Sequence, residues 1–216
     1  MIRLAALLLG LSAAAASAQT WHAERLTAGG GAPPRVERLW SKGAWLRAEV
    51  TFGGHPIQTF VKGDRYVIVD AMTGKGISIQ RSPKSVAADA SRGRPFGQEQ
   101  KAITSAGGEK VKTEGQGSGA CDLYRLTDQA GRREVCVSTG EDKVPLVARI
   151  WNRQSGAESE IQYLAWAKDV PAEDAFFAPD PRVQLESFTT DAYLEKARQG
   201  AVGPAPVMYP ELLLGS

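Results

Sequence analysis

The chain has 216 residues, a formal net charge of +2 at neutral pH, two histidines and two cysteines. A near-neutral balance of interspersed charges provides no basic face for nucleic acid or an anionic membrane, so we expect neither partner. The length suits one domain with a sizeable core, and it is also compatible with two small domains. Two histidines and two cysteines do not form a convincing zinc site, and we predict no metal and no cofactor.

The first 18 residues have the pattern of a secretory signal peptide. Arg3 gives a positive start, an apolar run follows, and Ala16-Ser17-Ala18 is a small-residue cleavage site. We expect cleavage after Ala18 and a periplasmic mature chain. The apolar run is too short for an ordinary transmembrane span, so the processed chain is not predicted to be transmembrane. An oxidising compartment favours a structural disulfide for the cysteines.

The region from 20 to 80 has the pattern of an antiparallel meander. Short apolar-polar runs are separated by glycine-rich turns at close, even spacing, and no connection is long enough for a parallel crossover. Such a meander must curl or close to bury its apolar face. The predicted strands are 20–26, 36–40, 45–52, 57–61, 66–70 and 76–80.

The stretch from 83 to 118 departs from that pattern. Residues 86–90 predict a short helix, which Arg92-Gly93-Arg94-Pro95 ends. Glycines at 107, 108, 115, 117 and 119 extend a flexible section. Long connections in compact domains are usually functional lids or disordered segments.

A hairpin then carries both cysteines. Residues 121–126 and 132–137 flank the turn Asp128-Gln129-Ala130-Gly131. Folding about that turn brings Cys121 and Cys136 roughly opposite each other, within the separation that a disulfide tolerates. We predict that they are bonded, which stabilises the domain by about 3 kcal/mol in the loop-entropy model.

A second hairpin joins 144–151 to 158–166 through a polar turn. Side chains alternate along a strand, so Ile161, Tyr163 and Ala165 share one face of the return strand. We expect that face to be buried and the opposite face to be mostly exposed.

A short helix follows, with Pro171 in its first turn and Phe176-Phe177 at its end to pin it to the sheet. This order, a Val-Pro-Leu strand, a polar turn, a strand and a helix ending in Phe-x-x-Pro, resembles the closing part of the LolA/LolB-like lipoprotein-carrier superfamily. Residues 119–124 are similar to a related group of secreted bacterial domains of unknown function. The match covers 109–185, roughly a third of the chain.

The resemblance implies an incomplete antiparallel barrel around an apolar cavity that holds acyl chains or a similar ligand. In that family a helical segment covers the barrel mouth, so 83–118 is either such a lid or a solvated linker. We therefore predict a mainly β, half-open antiparallel barrel over 19–187 with short peripheral helices. The fold alone does not fix the function.

The C-terminal part is predicted to be a helix followed by a tail. Thr190-Asp191 cap the helix and Gly200 stops it, within a region from 188 to 200. Prolines argue against regular structure over 201–216, so we expect a flexible tail there. Its Leu212-Leu213-Leu214 triplet either docks in a groove or frays.

The residues that could carry catalysis are few. His22 lies on the first strand and His55 in a Gly-Gly-His-Pro turn, where histidines are usually inert. Ser118 lacks the glycine spacing of a nucleophile elbow, and Thr73-Gly74-Lys75-Gly76 lacks the upstream glycine of a phosphate loop. We expect no enzyme; a hydrolase that uses one of the histidines is the remote alternative.

Aromatic residues on the predicted strands are stronger functional candidates than the histidines. They include Trp21, Trp166 and the six residues named at the end of this paragraph. Inward side chains of a curled sheet line a shared interior, so they either fill a core or wall a pocket. Two functions stay open. One is a periplasmic carrier that shields a hydrophobic ligand such as a lipoprotein acyl chain; the other is a non-catalytic envelope structural or interaction protein with a packed barrel and a protein partner. The candidate cavity residues are Trp40, Trp45, Phe60, Tyr66, Trp151 and Tyr163.

Overall fold

The computed structural model describes residues 18–215, with twelve strands in one sheet over that range. The predicted signal peptide falls almost entirely outside the described residues. In chain order the strands are β1 (Thr20–Gly29), β2 (Ala32–Lys42), β3 (Trp45–Phe52), β4 (His55–Lys62), β5 (Arg65–Asp70), β6 (Lys75–Gln80), β7 (Glu109–Glu114), β8 (Cys121–Thr127), β9 (Gly131–Ser138), β10 (Pro145–Asn152), β11 (Glu158–Lys168) and β12 (Gln184–Phe188).

The helices are short and lie between or after the strands. They are α1 (Pro83–Arg92), α2 (Glu99–Ser105), α3 (Thr190–Gln199) and α4 (Pro210–Leu214), together with two 3-10 turns, Gly117–Gly119 and Asp174–Phe177. Within the described part of the chain, none of the helices combines the length and the apolar character that a membrane span requires.

The strand order is β12-β6-β5-β4-β3-β2-β1-β11-β10-β9-β8-β7. Neighbouring strands are antiparallel except β12 and β6, which are parallel. Strands β1 to β6 form the predicted meander, whose tight hairpins need positive φ at positions such as Gly53 and Gly54 (58° and 85°). The sheet ends at β7 and β12 without closing. The prediction of a mainly β, half-open antiparallel barrel is confirmed.

One face of the sheet, called here the inner face, carries the main core. Leu39, Leu46, Ile57 and Ile68 are at most 1% exposed and project from successive strands onto this face. Residues outside the sheet cover it: Phe96 between α1 and α2, Tyr193 of α3, and residues 202–214, called here the C-terminal segment.

The C-terminal segment corrects the prediction of a flexible tail. Leu212 and Leu213 are 0% and 1% exposed, and Tyr209 is 4% exposed. Pro210 begins a helical turn, because proline fits the first position of a helix. Burying each large apolar side chain contributes about 1.5–3 kcal/mol, which opposes the entropy lost when this segment is ordered.

The stretch from 83 to 118 is folded, so it is not a solvated linker. It forms α1, α2 and β7, and Phe96 and Ile103 are 5% and 4% exposed. Ser82 caps α1 by accepting a hydrogen bond from the Ser85 amide at 3.1 Å. Phe96 and Ile103 pack against core residues of the inner face and therefore cover part of it.

The predicted Cys121–Cys136 disulfide is present, with a Cα–Cα distance of 5.4 Å. The two residues lie diagonally across the β8–β9 ladder, because Cys121 pairs with Ser138 and Leu123 pairs with Cys136. The bond closes a loop between positions 15 residues apart.

Replacing both cysteines by serine should lower the free energy of unfolding by about 3 kcal/mol, because the open loop gains entropy in the unfolded chain. Urea denaturation followed by tryptophan fluorescence measures this. Reduced wild-type protein is the matched control and should unfold at the same urea concentration as the double variant. An unchanged midpoint in both samples would contradict a stabilising disulfide.

Candidate functional site

Two of the six predicted cavity residues lie on the inner face. Tyr66 is 0% exposed and Tyr163 is 7% exposed, and both belong to the main core. The Tyr66 hydroxyl accepts a hydrogen bond from the Tyr209 amide at 3.3 Å. The Tyr163 hydroxyl donates to Glu99 of α2 at 2.7 Å. Both tyrosines therefore contact the cover of the inner face.

The other four predicted residues lie on the opposite, outer face. They alternate with inward residues of their strands, so the structure does not bring all six together. The Trp40 ring lies 5.5 Å from Phe176 and the Trp45 ring 6.1 Å from Phe177. Phe60 packs with Val67 and Val69, and Trp151 borders an open groove beside Arg132 and Glu158.

The two phenylalanines of the 3-10 turn do pin it to the sheet, as expected, but on the outer face. Phe177 is 1% exposed. The Arg47 guanidinium lies 4.2 Å from the Phe176 ring centre and donates to the Phe176 carbonyl at 3.2 Å. Strands β3 and β4 are therefore covered on both sides.

A buried carboxylate forms the polar centre of the inner face. The Glu37 side chain is 0% exposed. It accepts hydrogen bonds from Arg25 Nε at 2.7 Å, from Thr27 Oγ1 at 3.0 Å and from the Tyr209 hydroxyl at 3.0 Å. Arg35 Nε lies 3.7 Å from the same carboxylate. The C-terminal segment thus supplies one of the donors that a buried charge needs.

Opposing influences set the protonation states in this cluster. Burial alone would raise the pKa of Glu37, but the charge and hydrogen bond of Arg25 outweigh it and hold that pKa below its ordinary value. Burial and the nearby Glu37 raise the pKa of Tyr209 well above its ordinary value. Glu37 is therefore an anion that accepts, and the Tyr209 hydroxyl keeps its proton and donates.

A second polar cluster holds the far end of the C-terminal segment. Arg81 is 2% exposed and donates from Nε to the Leu212 carbonyl at 2.6 Å. Its guanidinium also pairs with Asp89 of α1 at 2.7 Å and 2.8 Å and donates to the Gly63 carbonyl. One buried cation therefore links the sheet, α1 and α4.

Two serines of the same cluster bind the last carbonyls of α4. The Ser82 amide donates to the Leu213 carbonyl at 2.9 Å, and the Ser82 hydroxyl donates to the Leu214 carbonyl at 2.8 Å. The Ser85 hydroxyl donates to the Leu212 carbonyl at 2.6 Å. Carbonyls at a helix C-terminus have no partner within the helix, and these donors satisfy them.

An aromatic layer flanks the inner face near β1 and β11. Trp166 stacks on Tyr163 at 4.8 Å and on Phe96 at 5.7 Å. The Arg94 guanidinium lies 4.5 Å from the Trp166 ring and 4.6 Å from the Trp21 ring. These contacts fix the loop between α1 and α2 against the sheet.

Trp166 and Trp21 are not among the six candidates, and a β-bulge explains why the sequence pattern misses Trp166. The pairing of β1 with β11 shifts between Glu24 and Arg25, so Ala23 pairs with Trp166 while Arg25 pairs with Tyr163. Simple alternation predicts that Ala165 joins Tyr163, but Ala165 is exposed. A one-residue shift of this kind leaves no mark on the sequence pattern.

Both histidines have structural partners. His22 Nδ1 lies 3.0 Å from the Leu39 carbonyl, and its ring stacks on Trp40 at 4.8 Å. His55 Nδ1 lies 2.8 Å from a carboxylate oxygen of Asp70.

This chain is similar in fold to proteins of known structure. No family model and no curated protein sequence matches the chain. An uncharacterised conserved protein from Thermus thermophilus has 10% sequence identity and a TM-score of 0.55, over 79% of this chain and 91% of that chain. At that identity the similarity shows the fold alone.

Two further solved structures are less similar. The Pseudomonas aeruginosa MucA/MucB complex has 12% identity and a TM-score of 0.46, over 78% of this chain and 58% of that chain. A LolA superfamily protein from Nitrosomonas europaea has 14% identity and a TM-score of 0.33, over 75% of this chain and 90% of that chain.

Glu37→Gln should lower the free energy of unfolding by about 3–5 kcal/mol at pH 7, because it leaves the charge of Arg25 without its partner. The folded-state pKa of Glu37 lies below its ordinary value of 4.5. Its contribution is therefore complete above pH 4.5 and is lost as the pH falls through the folded-state pKa. The difference between wild type and variant should shrink in that acidic range.

Glu24→Gln is the matched control. Glu24 pairs with Arg38 at 3.3 Å, and their side chains are 35% and 60% exposed. Such exposed pairs contribute about 0–1 kcal/mol. Chemical denaturation at several pH values measures both variants, and equal losses in the two would refute the central role of Glu37.

Leu212→Ala should cost about 2–5 kcal/mol, because it opens a cavity under the C-terminal segment. Leu164→Ala is its control, since Leu164 is 52% exposed, and should change stability by no more than about 0.5 kcal/mol. Urea denaturation compares them. If the two leucines proved equally dispensable, the segment would not be docked in solution.

Proposed function

We propose that this chain is a non-catalytic binding protein of the bacterial envelope that carries an apolar ligand on the inner face of its half-barrel. The observation that supports this most directly is the way the inner face is covered. The sheet does not close over it; helices and the C-terminal segment do. Docked segments can move away without breaking strand pairs, which a closed barrel cannot allow.

The chemistry of the inner face suits an acyl chain. Leu39, Ile57, Ile68 and Ile79 present aliphatic surface from four strands. A buried methylene group contributes about 0.8 kcal/mol, so a long acyl chain can compensate for the apolar contacts that a displaced cover gives up. A lipoprotein acyl chain, the ligand that the resemblance implies, is a member of this class.

The predicted signal peptide over 1–18 supports export of this carrier to the periplasm. A periplasmic carrier must keep acyl chains away from water between two membranes, and an apolar face under a displaceable cover meets that need. The proposed carrier acts by binding and release, without a catalytic residue.

The filled inner face favours a second candidate function. Tyr66, Leu212 and Leu213 are at most 1% exposed, so the interior is packed by the chain's own residues. In this alternative the half-barrel is a solid scaffold, and an envelope protein binds elsewhere on its surface, where Met72 and Leu164 are 66% and 52% exposed.

Native mass spectrometry of the mature protein from a periplasmic extract, before and after an organic wash, separates the two functions. The carrier should show an added mass that the wash removes, and the washed protein should then bind a fluorescent long-chain fatty acid. A short-chain analogue with the same fluorophore is the control and should not bind. A bare mass together with a folded protein that binds neither probe would favour the scaffold.

A further inference from the structure

The C-terminal segment lies where the proposed ligand would lie. Val202, Ala205, Tyr209 and Leu212 all belong to the core cluster of the inner face. The contact is close at Gly203, where an added Cβ would lie 2.7 Å from Ile77 Cδ1. Segment and ligand therefore compete for the same aliphatic surface.

The segment is held without being part of the sheet. It contributes no strand to the twelve that the described residues form. It is attached by apolar contacts, by the hydrogen bond from the Tyr209 amide to the Tyr66 hydroxyl, and by two polar anchors. At one anchor Tyr209 donates to Glu37, and at the other Arg81 and Ser82 donate to carbonyls of α4. At each anchor, a polar group of a ligand can replace the polar group that the segment supplies.

The anchors limit what can replace the segment. When α4 leaves, the donors on Arg81, Ser82 and Ser85 lose carbonyl partners in a largely buried place, and an unsatisfied buried donor is costly. A plain hydrocarbon cannot satisfy them. An acyl ester or amide can, because its carbonyl oxygen accepts hydrogen bonds while its chain packs on the apolar surface that the segment has left.

On the basis of the proposed function, we infer that residues 202–214 are an internal occupant of the ligand site, and that the ligand displacing them is an acyl ester or amide whose carbonyl binds the Arg81–Ser82–Ser85 donors. The free chain is then self-inhibited. Its apparent affinity for ligand is reduced by the fraction of molecules in which the segment is docked.

Tyr209→Phe tests the competition. It removes the hydroxyl that donates to Glu37 and keeps the ring, so the segment docks more weakly and the ligand should bind about ten-fold more tightly. Tyr193→Phe is the matched control: Tyr193 is 8% exposed in the same core but belongs to α3. Tryptophan fluorescence titrated with monopalmitoylglycerol gives Kd for wild type and both variants.

A matched pair of lipids tests the carbonyl. Monopalmitoylglycerol and its ether analogue hexadecylglycerol differ in the carbonyl group, and wild type should bind the ester about ten-fold more tightly. Equal affinities for the two would overturn the assignment of the donors.

Hydrogen exchange tests displacement of the C-terminal segment directly in the wild-type protein. Saturation with monopalmitoylglycerol should accelerate exchange of the amides in 202–214 at least ten-fold. If wild type and both variants bind the ester equally and exchange in 202–214 does not rise, the inference is overturned while the proposed function stands. If none of the three proteins binds either lipid, the proposed function itself fails.

Discussion

An open antiparallel sheet leaves an apolar inner face that its own strands cannot cover, and the rest of this structure follows from that constraint. Six strands from β1 to β6 present aliphatic side chains such as Leu39, Leu46 and Ile68 to this face. A closed barrel would shield them through the opposite wall. Here helices and the C-terminal segment shield them, so the fold depends on elements that lie outside the sheet.

The buried Glu37 ties that cover to the sheet. A carboxylate without solvent contact is stable only when several donors surround it. Arg25 and Thr27 come from the neighbouring strand, and Tyr209 comes from the C-terminal segment. Docking of the segment and satisfaction of the charge are therefore coupled. Arg81 repeats the arrangement with opposite polarity, as a buried cation that donates to the carbonyl of Leu212.

The sequence was sufficient to predict the meander and the disulfide, because strand periodicity and turn glycines are local signals. The half-open barrel was predicted from the family resemblance of the closing segment. It was not sufficient to assign the faces of β2 and β3. Trp40 alternates with Leu39, and Trp45 with Leu46, so both sides of each strand are apolar and periodicity alone cannot say which side is inward. The structure resolves this, since the phenylalanines at 176 and 177 bury the outer side.

The C-terminal segment escapes prediction for a different reason. Prolines and glycines between 200 and 210 exclude a long helix, and that local signal favours a flexible tail. What orders the segment is tertiary: apolar contacts with the inner face, the Glu37 carboxylate that accepts from Tyr209, and the Arg81 guanidinium that donates to Leu212. A local pattern cannot reveal a distant groove.

The two covers of the sheet differ in how they are attached, and that difference bears on function. The outer cover runs from the 3-10 turn Asp174–Phe177 into β12, which pairs with β6 along five residues. Removing it would break a strand ladder of the sheet. The inner cover ends in α4. Three residues at the junction of β6 and α1 hold it through their side chains and a single amide, that of Ser82; they are Arg81, Ser82 and Ser85. Because side-chain anchors can be replaced one at a time by a ligand's own polar groups, the inner cover costs less to displace than the outer cover. A movement that exposes apolar surface in this fold should therefore begin at the C-terminal segment.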